Sequence, residues 1–424
     1  MEAIRIIAGL KTKSARSGRK QLWIKQLWIR FILLTSLACF AEVTSASADN
    51  QVFAWGAGTS VNTADGHDYG QSIVPANLTN AVQVAGGEWH SLALKSDGTL
   101  QGWGDDTLGQ TYFLSTSNFV AIACGALHSL ALQSDGVVLA AGYDGYGETE
   151  VPDSLSNVVA IACGFYHSVA LQSDGTVVAW GADSDVNPVG QVPNFGQANV
   201  PVGLSNVVAI AAGGYHSLAL KSDGTLVEWG DQASWSGNVP PGLSNVVAVA
   251  TGAEHNIALL ADGTLEAWGT NEYGQLDVPA GSSNIVAIAA GGWHTLALKN
   301  DGTVVAWGAG IGSSTYVDFA QSTVPSGLSK VVQVAGGWYH SLVLEGSRPP
   351  VVSVPLQVTG LASNGLNLAS PTINGRVYQL QYSSSLPNPS WTALPLQSGT
   401  GQIMGFNDPS ATAATQRFYR LNRW

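Results

Sequence analysis

Short apolar runs separated by polar turns recur along most of the chain. Leu92, Leu94 and Leu100 stand on either side of Asp97-Gly98. An Asp-Gly pair between apolar runs supplies the positive φ angles of a tight hairpin turn. The same dipeptide recurs at Asp135-Gly136, Asp174-Gly175, Asp223-Gly224, Asp262-Gly263 and Asp301-Gly302. The pattern therefore predicts a series of β-hairpins.

A further strand precedes each hairpin. Residues 207–212 (VVAIAA) and 285–290 (IVAIAA) are rich in β-branched residues, which favour strands. A histidine follows each such run, and six of these histidines lie thirteen positions before a W-G or A-G pair. The six are His90 with Trp103, His128 with Ala141, His167 with Trp180, His216 with Trp229, His255 with Trp268 and His294 with Trp307. Strands and turns over about 40 residues are typical of one propeller blade.

The two ends of the repeat array complete each other. His340 has no W-G pair downstream, and Trp55-Gly56 has no histidine upstream. We therefore predict an all-β chain with a seven-bladed β-propeller, in which the strand at 52–55 completes the sheet formed by 331–344. Pairing the first strand with the last sheet removes two open edges and closes the ring.

The regions outside the repeats differ from them in composition. Residues 1–48 carry eight Lys or Arg and two Glu, then an apolar run, and end in Ala-Ser-Ala, a pattern typical of a secretory signal. We expect a signal peptide at 1–48, the propeller at 49–346 and a C-terminal module at 347–424. The module alternates apolar and polar residues in short runs, which predicts a small antiparallel β-sandwich. The expected location is the cell exterior or the cell envelope, with no membrane span after signal removal.

The propeller is strongly acidic. Residues 49–346 contain 26 Asp and Glu, four Lys and no Arg, and such a surface repels phosphate backbones. We therefore exclude nucleic acid as a partner. The C-terminal module reverses the sign, with five Arg and a single acidic residue, Asp408. A basic module could dock onto the acidic propeller.

The segments A-G-G-x-H-S-L-A-L and D-G-T-V-x-A-W-G, and residues 269–276 (GTNEYGQL), resemble the regulator-of-chromosome-condensation repeat family over 52–345. The resemblance implies a seven-bladed propeller. That family includes a nuclear exchange factor for a small GTPase, and secreted bacterial members, among them inhibitors of β-lactamases. The export signal and a commonest repeat of 39 residues make this chain similar to the secreted bacterial type. The exchange-factor role is not carried over, because it would require a cytoplasmic or nuclear GTPase partner. Membership of a family does not by itself give a function, since function lies in the loops of a fold.

One position of the repeat is always histidine: His90, His128, His167, His216, His255, His294 and His340. A residue needed in every blade is expected to brace neighbouring blades through a hydrogen bond from its ring to backbone. We interpret these histidines as structural, and we expect no catalytic residue, metal or cofactor. Cys124 and Cys163 share another repeat position. We expect them to be small buried residues without a disulfide, since equivalent points of two blades usually lie too far apart.

The residues just before the histidines are mostly aromatic. The candidate binding residues are Glu88, Trp89, Phe165, Tyr166, Tyr215, Glu254, Trp293, Trp338 and Tyr339. Aromatic rings interleaved with acids on one face are suited to binding a protein or a glycan. The alternative is that these rings only pack between blades.

Long loops indicate a second candidate site. The loops after Trp55, Trp180 and Trp307 are roughly seven to ten residues longer than the other four. The first and the last of these become neighbours when the ring closes, and insertions at one repeat position fall on one face, often the binding face. The candidate residues of this seam are Asp65, His67, Asp68, Tyr316, Asp318 and Phe319. The alternative is that these loops merely cover the closure.

Together these features favour an exported, monomeric, non-catalytic binding scaffold. A protein is the expected partner, and a glycan is the second choice. One alternative is a secreted lyase or hydrolase with its site at the propeller mouth or the closure seam, and the other is a structural protein of the cell envelope. A metal-binding cluster of the seam acids around His67 would favour the enzyme, whereas a flat aromatic face would favour binding.

Overall fold

The computed structural model describes most of the chain after residue 49. The described residues are 4–6, 50–62, 67–113, 117–182, 195–231, 237–310, 318–346, 357–362, 365–372, 376–384, 391–400, 402–413 and 417–423. The expected signal peptide lies outside these ranges except for residues 4–6. Within them, no helix is both long enough and apolar enough to cross a bilayer.

Seven three-stranded antiparallel sheets, the blades, form the larger part of the chain. The inner strands of blades 1 to 7 are Ala81–Gly86, Phe119–Cys124, Val158–Cys163, Val207–Ala212, Val246–Thr251, Ile285–Ala290 and Val331–Gly336. The middle strands are His90–Lys95, His128–Gln133, His167–Gln172, His216–Lys221, His255–Leu260, His294–Lys299 and His340–Glu345. The outer strands of blades 1 to 6 are Leu100–Gly104, Val138–Gly142, Val177–Gly181, Leu226–Gly230, Leu265–Gly269 and Val304–Gly308.

The inner strands form a closed circle. Each contacts the inner strand of the next blade, and the inner strand of blade 7 contacts that of blade 1. Their last residues surround a cavity of about 60 Å³ on the propeller axis. The prediction of an all-β, seven-bladed propeller is therefore confirmed.

The first strand of the propeller closes the ring. Gln51–Gly56 is the outer strand of blade 7 and pairs antiparallel with the middle strand of that blade, so that Val52 lies opposite Leu344 and Trp55 opposite Ser341. The Trp55 ring is buried, and its Nε1 atom donates a hydrogen bond of 2.8 Å to the backbone oxygen of Gln321. The two ends of the repeat array therefore share one sheet.

Local sequence sets the geometry of the hairpin turns. Gly98 has a φ of 75°, and Asp97 Oδ1 accepts hydrogen bonds from the hydroxyl and the backbone N–H of Thr99, which lower the pKa of Asp97. The residue before each inner strand also has a positive φ, which Asn tolerates better than most residues. These residues are Asn80, Asn118, Asn157, Asn206, Asn245, Asn284 and Lys330. We call this end of the blades the turn end.

The hydrophobic core lies between the blades. Trp180 of blade 3 packs with Leu130 and Leu132 of blade 2, and Trp229 of blade 4 packs with Leu171 of blade 3. The three leucines are fully buried, and burial of each such side chain stabilises the fold by about 1.5–3 kcal/mol. The W-G tryptophan is thus a contact between neighbouring blades.

Two antiparallel sheets follow the propeller. In one sheet Gly365–Pro371 pairs with Gln357–Ala362 and Ile403–Asp408. In the other, Val377–Ser383 pairs with Arg417–Arg423, Thr392–Ala393 and Gln397–Ser398, and Ile4–Ile6 pairs with Arg417–Arg423. The two sheets share a core that contains Tyr378, Phe406 and Tyr419. A 3-10 helix, Pro409–Ala413, and a short strand pair, Val61–Asn62 with Asp68–Tyr69, complete the elements.

The C-terminal sheets contact the turn end of the propeller. The backbone N–H of Leu396 donates a hydrogen bond of 2.9 Å to the backbone oxygen of Ser222. Val377 and Leu396 join the core cluster that contains Val208 and Val247 of blades 4 and 5. This contact is apolar, although the charges of the two parts are opposite. It leaves the other end of the propeller uncovered by these sheets.

Closure of the ring by the first strand generates a stability prediction. We expect Trp55→Ala to lower the free energy of unfolding by about 3–5 kcal/mol, because it removes a buried ring and leaves a cavity. Urea denaturation followed by tryptophan fluorescence measures the change. Trp307→Ala is the matched control, since Trp307 occupies the same position in blade 6 and is also buried. If Trp55→Ala were as stable as wild type while Trp307→Ala lost stability, that result would contradict closure of the ring by this strand.

Candidate functional site

A hydrogen bond links each blade to the next at the end opposite to the turns. The Nε2 atom of the repeat histidine lies 2.7–3.0 Å from a side-chain oxygen of the next blade. The pairs are His90–Ser129, His128–Ser168, His167–Ser217, His216–Asn256, His255–Thr295, His294–Ser341 and His340–Ser91. We call these pairs the histidine links. The expected backbone acceptor is wrong, since the partner is a side chain.

The acceptor hydroxyl shows which ring nitrogen carries the proton. Ser91 Oγ donates its own hydrogen to the backbone oxygen of Gln71 at 3.0 Å. The hydroxyl can then only accept from His340, so Nε2 of His340 carries the hydrogen. The same donation to a backbone oxygen is made by Ser168, Ser217, Thr295 and Ser341. These histidines are therefore neutral Nε2–H tautomers.

One backbone oxygen receives two of these interactions. Gln71 O accepts from Ser91 Oγ and, at 2.8 Å, from Trp103 Nε1. The Gln71 side chain folds back, so that its Oε1 accepts from the backbone N–H of Tyr69. Tyr69-Gly70-Gln71, an aromatic-Gly-Gln turn that follows the outer strand of blade 7, thereby binds the serine and the tryptophan of blade 1. Equivalent oxygens belong to Glu148, Gln197, Gln275 and Gln321.

The histidine rings are buried and uncharged. Burial lowers the pKa of His90, His167, His255, His294 and His340 to about 3, and that of His128 and His216 to about 4. Each ring packs on the glycine three positions before it. A Cβ atom on Gly87, for example, would collide with the ring of His90. The invariant glycine of the repeat is thus required by the histidine.

Blade 5 makes the link with different residues. His216 Nε2 contacts Asn256 Oδ1 at 2.7 Å, and Asn256 Nδ2 donates to Glu228 Oε1 at 3.3 Å. Trp268 Nε1 donates to Glu228 Oε2 at 3.2 Å. The Glu228 carboxylate therefore takes the place of the backbone oxygen used in other blades. Sequence reasoning missed this set, although Asn256 in place of serine after the histidine was a visible signal.

A ring of backbone hydrogen bonds surrounds the axis beside the histidine links. It is made by the residues two and three positions before each histidine. The bonds run from the N–H of Trp338, Glu88, Ala126, Phe165, Gly214, Ala253 and Gly292 to the oxygen of Gly87, Ala126, Gly164, Gly214, Ala253, Gly292 and Trp338, respectively. This ring fixes the channel mouth, and it places the candidate binding residues around it.

Two large side chains meet over the channel. The ring centroids of Phe165 and Trp338 lie 3.5 Å apart, although their blades, 3 and 7, are not neighbours. Both residues line the axial cavity, as do Cys124 and Cys163. Together the two rings cap the channel at the end opposite to the turns.

Most of the other candidate rings join this cap. Trp89 stacks on Tyr339 at 4.7 Å, with 18° between the ring planes. Trp293 contacts Trp338 at 5.4 Å and Tyr339 at 5.5 Å. On the other side, Phe165 contacts Tyr166 and Tyr215. The rings pack between blades, and they are also partly exposed except for Tyr339. We call this surface, formed by Trp89, Phe165, Tyr166, Tyr215, Trp293, Trp338 and Tyr339, the aromatic face.

The aromatic face is interrupted at blades 2 and 5, where Leu127 and Glu254 precede the histidine. Burial raises the pKa of Glu254, and the charge of Glu272 adds to the effect. An aromatic residue also begins each aromatic-Gly-Gln turn. The structure shows that their rings also extend the face at Tyr69, Phe195 and Tyr273.

Part of the seam belongs to the same surface. The His67 ring lies 5.2 Å from Trp89, 5.0 Å from Phe319 and 5.5 Å from Tyr339. Asp68 accepts hydrogen bonds from the backbone N–H of Gly58 and from Ser60. Asp318 accepts from the N–H of Ala320 at 3.4 Å. Asp65 and Tyr316 lie outside the described residues. His67 and Phe319 therefore extend the aromatic face rather than form a separate site.

The cysteines and acids do not assemble a metal centre in the part of the chain that the structure describes. No group of three or more His, Cys, Asp or Glu side chains is arranged there to hold a metal ion. Cys124 and Cys163 are free thiols at the channel wall. Burial raises the pKa of the Cys124 thiol to about 12, so this thiol is not a nucleophile at neutral pH.

Comparison with known protein families identifies the type of repeat. The family model of the regulator of chromosome condensation (RCC1) repeat matches residues 81–110, 119–148, 158–185, 207–234, 246–275 and 285–310. The chain belongs to the RCC1 repeat family. The six matches cover blades 1 to 6, and blade 7, which is built from both ends of the array, completes the RCC1 propeller.

Solved structures with the same fold have low sequence identity to this chain. Prp20p of Saccharomyces cerevisiae, whose structure was described together with its binding to Gsp1p and histones, has a TM-score of 0.52 and 22% identity, covering 71% of this chain and 92% of its own. Yeast RCC1 (Prp20) bound to Kap60 has a TM-score of 0.53 and 19% identity, covering 80% and 96%. Human WBSCR16 has a TM-score of 0.52 and 19% identity, covering 70% and 99%. These likenesses show the RCC1 propeller fold.

The buried histidines generate a prediction for stability against pH. Their pKa values in the fold, about 3 or 4, lie below the unfolded value of about 6.5. Each histidine therefore contributes stability that is fully present above pH 6.5 and is lost as the pH falls toward 4. Between pH 7 and pH 5, we expect the free energy of unfolding of His167→Gln to fall by about 2 kcal/mol less than that of wild type.

Urea denaturation at pH 8, 7, 6 and 5 measures this difference. At pH 8 the histidine is neutral in both states, so the offset between the proteins reports only the lost hydrogen bond and packing. Parallel stability curves for His167→Gln and wild type from pH 7 to pH 5 would show that the ring does not titrate on unfolding.

Proposed function

We propose that this RCC1-family chain is an exported, non-catalytic, monomeric scaffold that recognises a protein partner through its aromatic face. The observation that carries the proposal is the continuity of rings over the channel mouth, from Tyr215 through Phe165, Trp338 and Tyr339 to Trp89, of which all but Tyr339 are partly exposed. Large, rigid rings supply contact area at low entropic cost, and they dominate the energy of protein interfaces.

The arrangement of the chain supports a free aromatic face. The C-terminal sheets contact the turn end through Leu396 and Val377, whereas the aromatic face lies at the opposite end. Seam residues His67 and Phe319 enlarge the same surface. A partner could thus approach along the axis without displacing any part of the chain described by the structure.

The fixed position of each ring favours recognition without rearrangement. The backbone oxygen of Trp89 accepts from Asp105 N–H, and that of Tyr339 accepts from Ala57 N–H. Each ring is therefore held between a histidine link and a backbone bond. A preorganised surface loses little conformational entropy on binding, so more of its contact energy appears as affinity.

Export follows from the basic and apolar pattern of residues 1–48, and it suits a partner outside the cytoplasm. The similarity to secreted bacterial members of the family favours a protein over a glycan. The rings alone would also suit stacking on sugars, so glycans are included in the test.

Affinity capture tests this function. The purified protein is offered exported proteins and cell-wall glycans, and the double variant Trp293→Ala, Trp338→Ala is compared with wild type. We expect one protein partner whose affinity falls about 30-fold or more in the variant, because central aromatic residues contribute about 2 kcal/mol or more. Tyr112→Ala is the control, since Tyr112 is 66% exposed and makes no ring contact with the aromatic face among the described residues. Equal capture by all three proteins would exclude the aromatic face as the binding surface.

A further inference from the structure

Glu88 is the only acidic residue in the backbone ring at the channel mouth. The residues two positions before the histidines are Glu88, Ala126, Phe165, Gly214, Ala253, Gly292 and Trp338. Four of the seven have a methyl group or no side chain. In the ring, Glu88 lies between Ala126 and Trp338, and Trp338 forms the cap with Phe165.

The Glu88 carboxylate acts electrostatically on tyrosine hydroxyls of three other blades. Its charge raises the pKa of Tyr166, Tyr215 and Tyr339, which lie in blades 3, 4 and 7. Burial is the larger cause for all three tyrosines. Glu88 also belongs to the backbone ring around the axis, between Trp338 and Ala126, so it lies on the inner side of the aromatic face rather than at its rim.

In the part of the chain that the structure describes, no cation lies beside this carboxylate. Residues 49–346 contain no Arg, and their four lysines lie at the turn end. Lys95, Lys221 and Lys299 end the middle strands, and Lys330 precedes the inner strand of blade 7. Lys95 and Lys221 pair there with Asp97 and Asp223. Among the described residues, the Glu88 carboxylate has no hydrogen-bond donor of its own.

We infer that the protein partner places an arginine side chain at the centre of the aromatic face, where its guanidinium pairs with the Glu88 carboxylate between the surrounding rings. The inference rests on the proposed function and names the chemistry of the partner at that site. A planar guanidinium stacks on aromatic faces and also offers several N–H donors to a carboxylate. Glu88 is half-buried. Partial desolvation of a carboxylate without a cation costs free energy in the free protein, and pairing with the partner's arginine offsets that cost.

Binding should then depend on pH through Glu88. Burial raises the pKa of Glu88 to about 7, and the guanidinium requires the ionised form. Affinity for an arginine side chain is therefore expected to rise between pH 6 and pH 8. The titratable groups that face this position are Tyr166, Tyr215 and Tyr339, which stay neutral in this range, and His67, which contacts the Trp89 and Tyr339 rings.

The test uses a probe pair that differs mainly in charge. Nα-acetyl-arginine amide and Nα-acetyl-citrulline amide are titrated into the ¹⁵N-labelled protein, and the indole N–H signals are followed at pH 8. We expect saturable shifts with a dissociation constant on the order of millimolar for the arginine probe, as befits a single side chain, and none for citrulline. Nα-acetyl-lysine amide is expected to bind more weakly than the arginine probe.

Glu88→Gln keeps the shape of the side chain and removes its charge. We expect the arginine probe to bind this variant at least about fivefold more weakly, with no remaining rise in affinity between pH 6 and pH 8. Glu266→Gln is the matched control, because Glu266 is exposed on the outer strand of blade 5. A wild-type thermal melt for both variants shows that they are folded.

Three results would overturn the inference: equal binding of arginine and citrulline, equal binding to Glu88→Gln and wild type, or the same pH dependence in Glu88→Gln. These results leave the proposed function intact if the captured partner is still lost in the tryptophan variant. Conversely, arginine binding to a protein whose captured partner ignores the tryptophan substitutions would refute the proposed function alone.

Discussion

The hydrogen bond between a buried, neutral histidine and the side chain of the next blade is the interaction on which this propeller depends. It occurs seven times and closes on itself between His340 and Ser91. Its requirements explain the repeat: glycine three positions earlier makes room for the ring, and serine after the histidine accepts the N–H of the preceding blade. The tryptophan and the glutamine turn share one backbone oxygen with that serine. Each recurring residue of the repeat thus contributes to one joint between two blades.

The same joints position the surface that we assign to recognition. The backbone of the residue before each histidine is held at the start of a strand, which fixes where each side chain begins. The ring of backbone hydrogen bonds around the channel mouth anchors the residues that carry these side chains. The turn end of the propeller carries apolar and charged turns. The opposite end carries the aromatic rings and the Glu88 carboxylate, which has no cation beside it among the described residues. The repeat itself thus places the turns, which contact the C-terminal sheets, at one end of the propeller and the aromatic face at the other.

Much of this architecture could be predicted from sequence, because Asp-Gly turns, the histidine spacing and the unmatched Trp55 and His340 each have a local cause. The sequence also indicated the candidate residues before each histidine, but their arrangement in space could not be predicted. That Phe165 reaches Trp338 across the axis, or that His67 of the seam lies against Trp89, depends on side-chain lengths and blade curvature, which no local pattern encodes. The histidine acceptor was missed for a related reason: Ser129 and His90 are 39 positions apart, and the sequence shows only their common period.

Blade 5 departs from the common joint, and this departure couples it to blade 4. Asn256, Glu228 and Trp268 replace the usual serine and backbone oxygen as a connected group that spans two blades. Asparagine without the glutamate would leave a buried amide unsatisfied, and the glutamate without its donors would leave a buried charge. A recombination event that copied one blade alone would separate the three. Blades 4 and 5 are therefore not interchangeable singly, because replacing either one with a copy of another blade would leave buried polar groups unpaired at their joint.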